Sequence, residues 1–388
     1  MEQRRKYLLI LQWLFAESEK ESDIFADVDW LGAYNFFNEH AITPAANDLI
    51  PFIPDEYADL KKTWKDSVYS NVFKYARFVK SQEQILEAFR KNKIPVAVLK
   101  GTSAAKYYPK PQLRAMGDID LLVKPDDYNR AVECLKSNGC SETTASAENE
   151  RGRHRSFSYG DSSIELHYFF SSQEDSDKAQ ALNNLLFASI SDCNTVLPDE
   201  ENGLVLLAHI RQHLRGGLGL RQIIDWMMFV KAYLNDEKWY SSFRKKAQDT
   251  GLEQLATAVT KMCQNYLGLK TENITWCESA DENICDKLLQ YILESGNFGR
   301  SRELTNSAVV GEIPKLYEPV KLFKYIQAHG KRNWAVLKKH PRLKPFAWIY
   351  QLCRYIKMAV QNRIGAGSLK EIYDEGNKRN DMFAELGL

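Results

Sequence analysis

The sequence predicts an α+β protein, in which a small mixed sheet with packed helices is flanked by all-α N- and C-terminal regions. Alternation of apolar and polar residues, which is typical of strands, is confined to about residues 94–170. Helical spacing of apolar residues dominates on both sides. The composition, 44% hydrophobic and 27% charged over 388 residues, is typical of a globular protein. We expect four regions, which are helical 1–92, a sheet-containing core at 93–200, a helical domain at 201–300 and a basic, aromatic helical region at 301–388.

The elements follow from periodicity and from breaking residues. The clearest N-terminal helix is predicted over Ser67–Lys91, and Asn92–Pro95 ends it because proline cannot continue a helix. The core then predicts strands at 96–99, 118–123, near 155–160 and at 163–170, with helices at 102–108 and 126–138. After a polar, acid-rich loop at Ser171–Lys178 the chain is again predicted to be helical.

Acidic residues interrupt two of the predicted strands. Asp118 and Asp120 are two positions apart, so on a strand they point to the same face, whereas Ile119 and Leu121 point to the other. A second strand carries a lone acid, Glu165. Three carboxylates that converge repel one another unless cations or protons neutralise them. The pattern therefore predicts a divalent metal site of the kind that clamps phosphate oxygens with two Mg²⁺ ions.

Three short motifs resemble the DNA polymerase β-like nucleotidyltransferase superfamily. They are Leu99-Lys100-Gly101, then Arg114-x-x-Gly117-Asp118-x-Asp120, and then Glu165-Leu166-His167. Within the superfamily the chain is most similar to a bacterial branch of uncharacterised nucleotidyltransferases, over roughly residues 60–230. The resemblance implies a nucleotidyltransferase sheet in the core at 93–200, with the helical domain at 201–300 covering the nucleotide cleft.

The resemblance also implies an activity. Asp118, Asp120 and Glu165 would be the catalytic and metal-binding residues, with Mg²⁺ or Mn²⁺ as the metal. The enzyme would move a nucleoside monophosphate from a nucleoside triphosphate, expected to be ATP, to an unidentified acceptor and release pyrophosphate by two-metal phosphoryl transfer. A small molecule or a protein is favoured over RNA as the acceptor. The alternative is a non-catalytic nucleotide-binding or protein-interaction module on the same fold.

Nucleotide-binding candidates surround the first two motifs. A strand that exits sharply at a glycine into a short helix presents free backbone amides to an anion, although an ordinary strand-to-helix turn with a threonine cap fits the same residues. The resemblance places Gly101 and Thr102 near the nucleotide phosphates. The candidate nucleotide-binding residues are Lys100, Gly101, Thr102, Ser103, Arg114, Gly117 and His167.

Other polar residues flank the predicted site. His167 lies two residues beyond Glu165 on the same strand face, so it is either a phosphate or metal contact or a structural histidine at the sheet end. Arg151, Arg153 and Arg155, around His154, form either a triphosphate contact or a solvated hairpin tip.

A histidine-containing helical segment follows at 204–231. His209, His213, Arg221 and Asp225 share a helical spacing, but a glycine-rich stretch at 216–219 predicts two helices joined by a turn. Arg221 and Asp225 then form a local pair on the second helix. The family resemblance suggests instead that this unit covers the cleft and that Arg221 or Asp225 reaches into it.

Positive charge is concentrated near the C-terminus. Residues 315–369 carry twelve Lys or Arg residues but one acid, Glu318, although the whole chain has a formal charge of only +1. Aromatic residues lie between these cations, which suits RNA, an anionic membrane or contact with the acidic remainder of the chain. We favour the intramolecular role.

Cysteine usage and hydropathy predict a cytoplasmic protein. The seven cysteines are odd in number and include no Cys-x-x-Cys pair, which favours a reducing compartment. Residues 4–16 imitate a secretory signal, but Gln12 and Trp13 interrupt the apolar run, so a buried first helix is preferred. No stretch reaches the roughly 18 apolar residues that span a bilayer.

Overall fold

The protein is described by a computed structural model that covers residues 2–15, 23–143, 154–171, 177–191, 195–214, 216–270, 272–297, 319–338, 340–361 and 366–388. Within these residues the fold is α+β, with a five-stranded mixed sheet between helical N- and C-terminal regions, as the sequence predicts. The predicted four-region division stays a prediction. Arg151 and Arg153, and most of the acid-rich loop predicted at 171–178, lie outside the described residues.

Among the described residues, three α-helices precede the sheet, namely α1 (Glu2–Phe15), α2 (Trp30–Glu39) and α3 (Ala58–Lys91). The signal-like segment forms α1, and its apolar side chains Tyr7, Ile10 and Leu11 are buried in the larger core. Helix α3 ends at Lys91 as predicted, but it begins nine residues earlier than the pattern indicated, and it runs for 34 residues.

The sheet contains β1 (Ala97–Leu99), β2 (Ile119–Leu122), β3 (Ser141–Glu142), β4 (His154–Tyr159) and β5 (Ser162–His167). The spatial order is β1-β2-β5-β4-β3, in which β2 and β5 are parallel and the other neighbours antiparallel. In the described part of the chain, the α-helices between strands are α4 (Gly101–Ala105) and α5 (Tyr128–Ser137). Strand β3 was not predicted, because two residues show no alternation. Strand β5 ends three residues earlier than expected.

The two faces of the sheet belong to different hydrophobic clusters. Ile119 and Leu121 of β2 and Ile164 of β5 pack in a smaller cluster with residues of α3 and α5. On β2 the next residue, Leu122, belongs instead to the larger cluster, which is built from the helices before and after the sheet. This alternation is what the strand period of two requires, and it leaves Asp120 on the face opposite the smaller cluster.

Helices dominate after the sheet. They are α6 (Asp177–Ser189), α7 (Asp199–Leu214), α8 (Leu220–Ala232), α9 (Asp236–Lys238), α10 (Arg244–Asp249), α11 (Glu253–Tyr266) and α12 (Glu282–Ser295), with a π-helical turn at Trp239–Phe243. Helices α7 and α8 are separate, as the glycine-rich stretch predicts. They approach closely because Gly203 has no side chain, and a Cβ there would lie 2.4 Å from Cζ of Phe229.

The last helices are α13 (Pro319–Asn333), α14 (Ala347–Gln361) and α15 (Ala366–Glu385). Helices α13 and α14 pack together where a Cβ on Gly330 would be 1.9 Å from the Ala347 carbonyl oxygen. This pair exposes large apolar side chains, including Val320, Phe323 and Ile356. Across the described part of the chain, no helix combines the length and the apolar character that crossing a membrane requires.

Candidate active site

Strand register brings the predicted acids together. In the parallel pair β2–β5, Asp120 lies directly opposite Glu165, and Leu122 lies opposite His167. Asp118 immediately precedes β2. One carboxylate oxygen from each of Asp118, Asp120 and Glu165 lies within 4.8 Å of the others. The three side chains therefore form a candidate acidic metal site at one end of the parallel strand pair.

The three acids have different electrostatic surroundings. Burial raises the pKa of Asp118 to about 6, and repulsion from Asp120 and Glu165 adds to this effect. Burial also opposes ionisation of Asp120, but the Lys100 ammonium and the His167 ring outweigh it and hold the pKa of Asp120 well below its usual range. The pKa of Glu165 is also lowered, since contact with His167 and His154 overcomes burial and the charge of Asp120. Asp118 is thus the acid whose charge is least compensated.

Lys100 supplies a cation inside the acid cluster. Its Nζ lies 2.9 Å from Oδ1 of Asp120, and both side chains are largely buried. The sharp exit predicted after β1 occurs here, because Lys100 and Gly101 both have positive φ angles, of 42° and 41°. A Cβ on Gly101 would lie 3.4 Å from the Asp118 carbonyl oxygen in an unfavourable conformation. Lys100 therefore lies beside the acids in a strained backbone conformation.

The hydroxyl groups next to this turn face elsewhere. Thr102 Oγ1 donates to Gln82 Oε1 at 2.7 Å, and Ser103 Oγ donates to the Val98 carbonyl oxygen at 2.8 Å. Both contacts anchor α4 to neighbouring elements. Neither residue lines the cavity at the acids, and their phosphate-binding role stays a prediction.

Arg114 is held by a helix far away in sequence. Its Nε and Nη2 each lie 2.7 Å from one oxygen of Asp225 on α8, and Tyr108 donates to the same carboxylate at 2.8 Å. Burial disfavours the charged form, but Asp225 raises the pKa of Arg114 above its usual value. The ion-pair partner of Asp225 is therefore Arg114 and not the local Arg221 that spacing indicated, although the charge of Asp225 still favours the charged form of Arg221.

A small cavity of about 160 Å³ opens at the acids. Its walls come from the turn after β1, the two acidic strands and the helices α7 and α8; they are formed by Lys100, Gly101, Arg114, Gly117, Asp118, Asp120, Glu165, His209, His213 and Arg221. Residues of α7 and α8 thus line the cavity at the acids, and the predicted covering of a nucleotide cleft stays a prediction. Arg221 of α8 adds a positive charge to this wall, with Nη1 3.5 Å from the Ala115 carbonyl oxygen and Nε without a hydrogen-bond partner among the described residues.

His209 and His213 form an uncharged part of this wall. Burial, and then the charge of Lys100, lower the pKa of both rings, to about 4 for His213. Their centroids are 4.5 Å apart on α7. At neutral pH both rings are therefore neutral, and neither adds positive charge to the cleft.

Two more histidines surround Glu165. His154 on β4 lies opposite His167 on β5, and their ring centroids are 4.8 Å apart. His167 Nε2 is 3.1 Å from Oδ1 of Asp120 and 3.3 Å from Oε2 of Glu165, whereas His154 Nε2 is 3.7 Å from Oε1 of Glu165. Arg155 turns away to pair with Glu142 on β3, so it is a hairpin residue and does not join the acids.

Sequence reasoning missed the residues that position the loop before Asp118. Lys74 on α3 donates to the Met116 carbonyl oxygen at 2.7 Å, and burial lowers the pKa of Lys74 although Asp118 opposes the shift. Asn71 donates to the carbonyl oxygens of Gln112 and Arg114 at 2.8 and 3.2 Å. Polar residues inside a long helical pattern resemble a solvated face, so no sequence signal distinguished these two.

Comparison with known proteins gives one finding. No curated protein and no solved structure matches the chain significantly. The family described as "Uncharacterised nucleotidyltransferase" matches residues 26–268, which is more than half of the chain. This match is wider than the motifs suggested and includes the acids, the turn after β1 and the helices α7 and α8. The chain belongs to this family of uncharacterised nucleotidyltransferases.

Proposed function

We propose that the protein transfers a nucleoside monophosphate from a Mg²⁺-bound nucleoside triphosphate, with ATP as the first donor to test, to an acceptor hydroxyl or similar group. Pyrophosphate is the second product. The observation that carries the proposal is the convergence of Asp118, Asp120 and Glu165 within 4.8 Å in a chain of a nucleotidyltransferase family.

The residues at the acids fit a hard divalent cation. All three offer carboxylate oxygens, which are the ligands that Mg²⁺ and Mn²⁺ prefer. The raised pKa of Asp118, to about 6, shows that Lys100 alone does not compensate the cluster. When bound there, divalent ions supply Lewis-acid stabilisation of the negative charge on the phosphate oxygens.

The protein's own residues then have distinct roles. Asp118 and Asp120 hold the cation. Glu165 is ionised at neutral pH because its pKa is lowered, so it suits a metal ligand better than a general base, which works best with a pKa near the operating pH. The cavity wall holds three cations, Lys100, Arg114 and Arg221. Arg114 is already paired with Asp225, so we assign Lys100 and Arg221 to the phosphate groups.

Cavity size limits which part of the donor lies at the acids. About 160 Å³ is less than the roughly 300–1,000 Å³ of typical small-molecule sites. The triphosphate therefore occupies this cavity, whereas the base and the acceptor lie outside it or enter after α7 and α8 move from the sheet. This arrangement agrees with a site that reads phosphate charge more strongly than base identity.

A second candidate is a nucleotide-binding module without transfer activity. The contact between Lys100 and Asp120 favours it, because an internal ammonium partly satisfies the acids without any metal. The two candidates differ in one product, since only the enzyme releases pyrophosphate.

The test is incubation of the full-length protein with each α-labelled nucleoside triphosphate and Mg²⁺, followed by detection of label in protein, RNA and small-molecule fractions. We expect label transfer and pyrophosphate release by the wild type, and loss of both in Asp118→Asn. Nucleotide binding without pyrophosphate release, with every donor and with a cell extract as the source of acceptor, would instead establish the binding module.

A further inference from the structure

We propose that His154, Glu165 and His167 form a second metal site, specific for ions of the zinc class and joined to the acidic site through Glu165. This site does not depend on the proposed transfer reaction. It rests on the convergence of two imidazole rings and a carboxylate on the antiparallel pair β4–β5.

Strand pairing fixes the three ligands. Glu165 and His167 are two positions apart on β5, so they share a face, and His154 lies directly opposite His167 on the antiparallel strand β4. One ligand atom from each lies within 4.8 Å of the other two. Because all three side chains project from paired strands, the arrangement is part of the sheet and does not depend on a loop.

The distances agree with a shared ion. Two ligands about 2.1 Å from a tetrahedral zinc ion are roughly 3.4 Å apart. Here Nε2 of His167 is 3.3 Å from Oε2 of Glu165, and Nε2 of His154 is 3.7 Å from Oε1 of the same carboxylate. The two rings thus approach different oxygens of one carboxylate, and one ligand atom from each of the three residues lies within 4.8 Å of the other two.

The donor set selects a different metal from the acidic site. Imidazole nitrogen suits Zn²⁺, Co²⁺ and Ni²⁺, whereas Mg²⁺ takes oxygen ligands almost exclusively. Two histidines and one glutamate leave a fourth position of a tetrahedral ion for water. Side-chain exposures of 20% for His154 and 25% for Glu165 leave an entry path, while His167, at 7%, forms the base of the site.

The competing account is a proton in place of the ion. His167 Nε2 also lies 3.1 Å from Asp120 Oδ1, so a protonated ring would bridge Asp120 and Glu165. In that account His154 contributes its contact with Glu165 but no ligand to an ion. The two accounts therefore differ in their response to removing the His154 ring and to adding Co²⁺.

The experiment uses full-length, metal-free protein titrated with Co²⁺, whose visible absorption is intense in four-coordinate nitrogen-containing sites. We expect one equivalent to give these bands, Zn²⁺ to displace it stoichiometrically, and millimolar Mg²⁺ to leave it bound. His154→Gln should weaken Co²⁺ binding by roughly 100-fold or more. Loss of a residue that only supports a metal ligand typically weakens metal affinity by about 10- to 100-fold. The matched control is His340→Gln, because His340 is an exposed histidine of the C-terminal region and its loss should change nothing.

Asp118→Asn separates the two sites. Mg²⁺ bound at the acids should raise the melting temperature of the wild type, because it binds only the folded state. Asp118→Asn should abolish this increase and keep the Co²⁺ bands, whereas His154→Gln should keep the increase and lose the bands. Equal Co²⁺ affinity in the wild type and His154→Gln, or displacement of Co²⁺ by Mg²⁺, would overturn the second site. If His154→Gln does not fold, the wild-type spectrum is still a sufficient test, because absence of four-coordinate Co²⁺ bands would by itself overturn the second site. Each of these failures leaves the transfer reaction untouched, because that is measured with Mg²⁺ and labelled nucleotide.

Discussion

The two aspartates of the motif differ in what they do to the folded protein before any metal binds. Asp118 is ionised against burial and against two other acids, whereas Asp120 is paired with Lys100 and His167. Sequence spacing predicted that both would meet Glu165, because the strand period fixes which face each residue takes. It did not predict their unequal surroundings, since these depend on which cations the fold brings to each carboxylate.

Asp118→Asn is expected to stabilise the metal-free protein. The pKa of Asp118 is raised from 3.8 to about 6 in the folded state, so ionisation destabilises folding increasingly between these values and fully above them. Removing the charge should therefore increase the free energy of unfolding by up to about 3 kcal/mol near pH 7 and by nothing below about pH 3.5. Urea unfolding in EDTA at both pH values measures the difference, and an equal gain at both would contradict this origin.

Asp120→Asn is expected to have the opposite effect. The folded-state pKa of Asp120 is lowered, so its charge stabilises the fold above the unfolded pKa, and that contribution is lost as the pH falls. Substitution leaves Lys100 buried beside a neutral amide and should cost about 3 kcal/mol near neutral pH. Unfolding curves of the two variants side by side are the measurement, and a stabilised Asp120→Asn protein would show that Lys100 pairs elsewhere in solution.

Glu165→Gln tests chemistry with little change in size. Because the amide keeps its place on β5 but loses a charged metal ligand, nucleotide affinity should fall little and the transfer rate should fall by roughly 100-fold or more. Single-turnover transfer and nucleotide binding, measured on the same preparation, separate the two effects. Turnover at the wild-type rate in a folded, nucleotide-binding variant would remove Glu165 from the site.

At the scale of elements, the sequence predicted strands and helices well where their pattern is long. It did not predict which elements contact one another. The break between α7 and α8 followed from glycines at 216–219. The pairing of Arg114 with Asp225, 111 positions apart, had no local signature. A two-residue strand such as β3 also escapes detection, because its hydrogen bonds come from its neighbour and not from its own sequence.

The Arg114–Asp225 contact is expected to connect α8 to the loop before Asp118. Asp225→Ala leaves a buried guanidinium without its partner, so it should reduce the free energy of unfolding by about 3–5 kcal/mol. The double variant Arg114→Met with Asp225→Leu should recover much of that loss, since apolar replacement of a buried pair is often tolerated. A double-mutant cycle of Arg114→Met, Asp225→Leu and their double variant, measured by chemical unfolding, gives the coupling energy. Additive effects of the single changes would mean that the two side chains do not interact.

At the scale of the whole molecule, α3 contributes to both hydrophobic clusters. Its early residues Trp64 and Val68 belong to the larger cluster, and Phe78 and Phe89 belong to the smaller one. Sequence periodicity predicted this helix but not that it packs in both clusters, because an apolar helix face does not indicate which part of the protein covers it. The predicted domain boundary between residues 92 and 93 stays a prediction, and it follows directly after a helix that packs in both clusters.

We therefore expect residues of both clusters to unfold in one transition. Ala76 lies on the exposed face of α3, between its two halves. Ala76→Pro interrupts the helix there and should reduce the free energy of unfolding by roughly 3 kcal/mol or more. The wild type should melt with coincident helical and tryptophan signals, and the variant should show two separate transitions. Ala76→Ser is the matched control with no backbone break. Two transitions already in the wild type would show that α3 does not couple the clusters.

The hydrogen bonds from Asn71 and Lys74 to the loop before Asp118 have a mechanical consequence. They fasten three successive parts of that loop, at Gln112, Arg114 and Met116, to one side of α3. A small rotation of α3 about its axis would move the backbone just before Asp118 relative to Glu165, which lies on a strand paired on both sides. The distance between the metal ligands therefore depends on how α3 packs. Trp64, near the opposite end of α3, holds that helix in the larger cluster and contacts no metal ligand. Substitutions that create a cavity at Trp64 should therefore weaken metal binding before they unfold the chain.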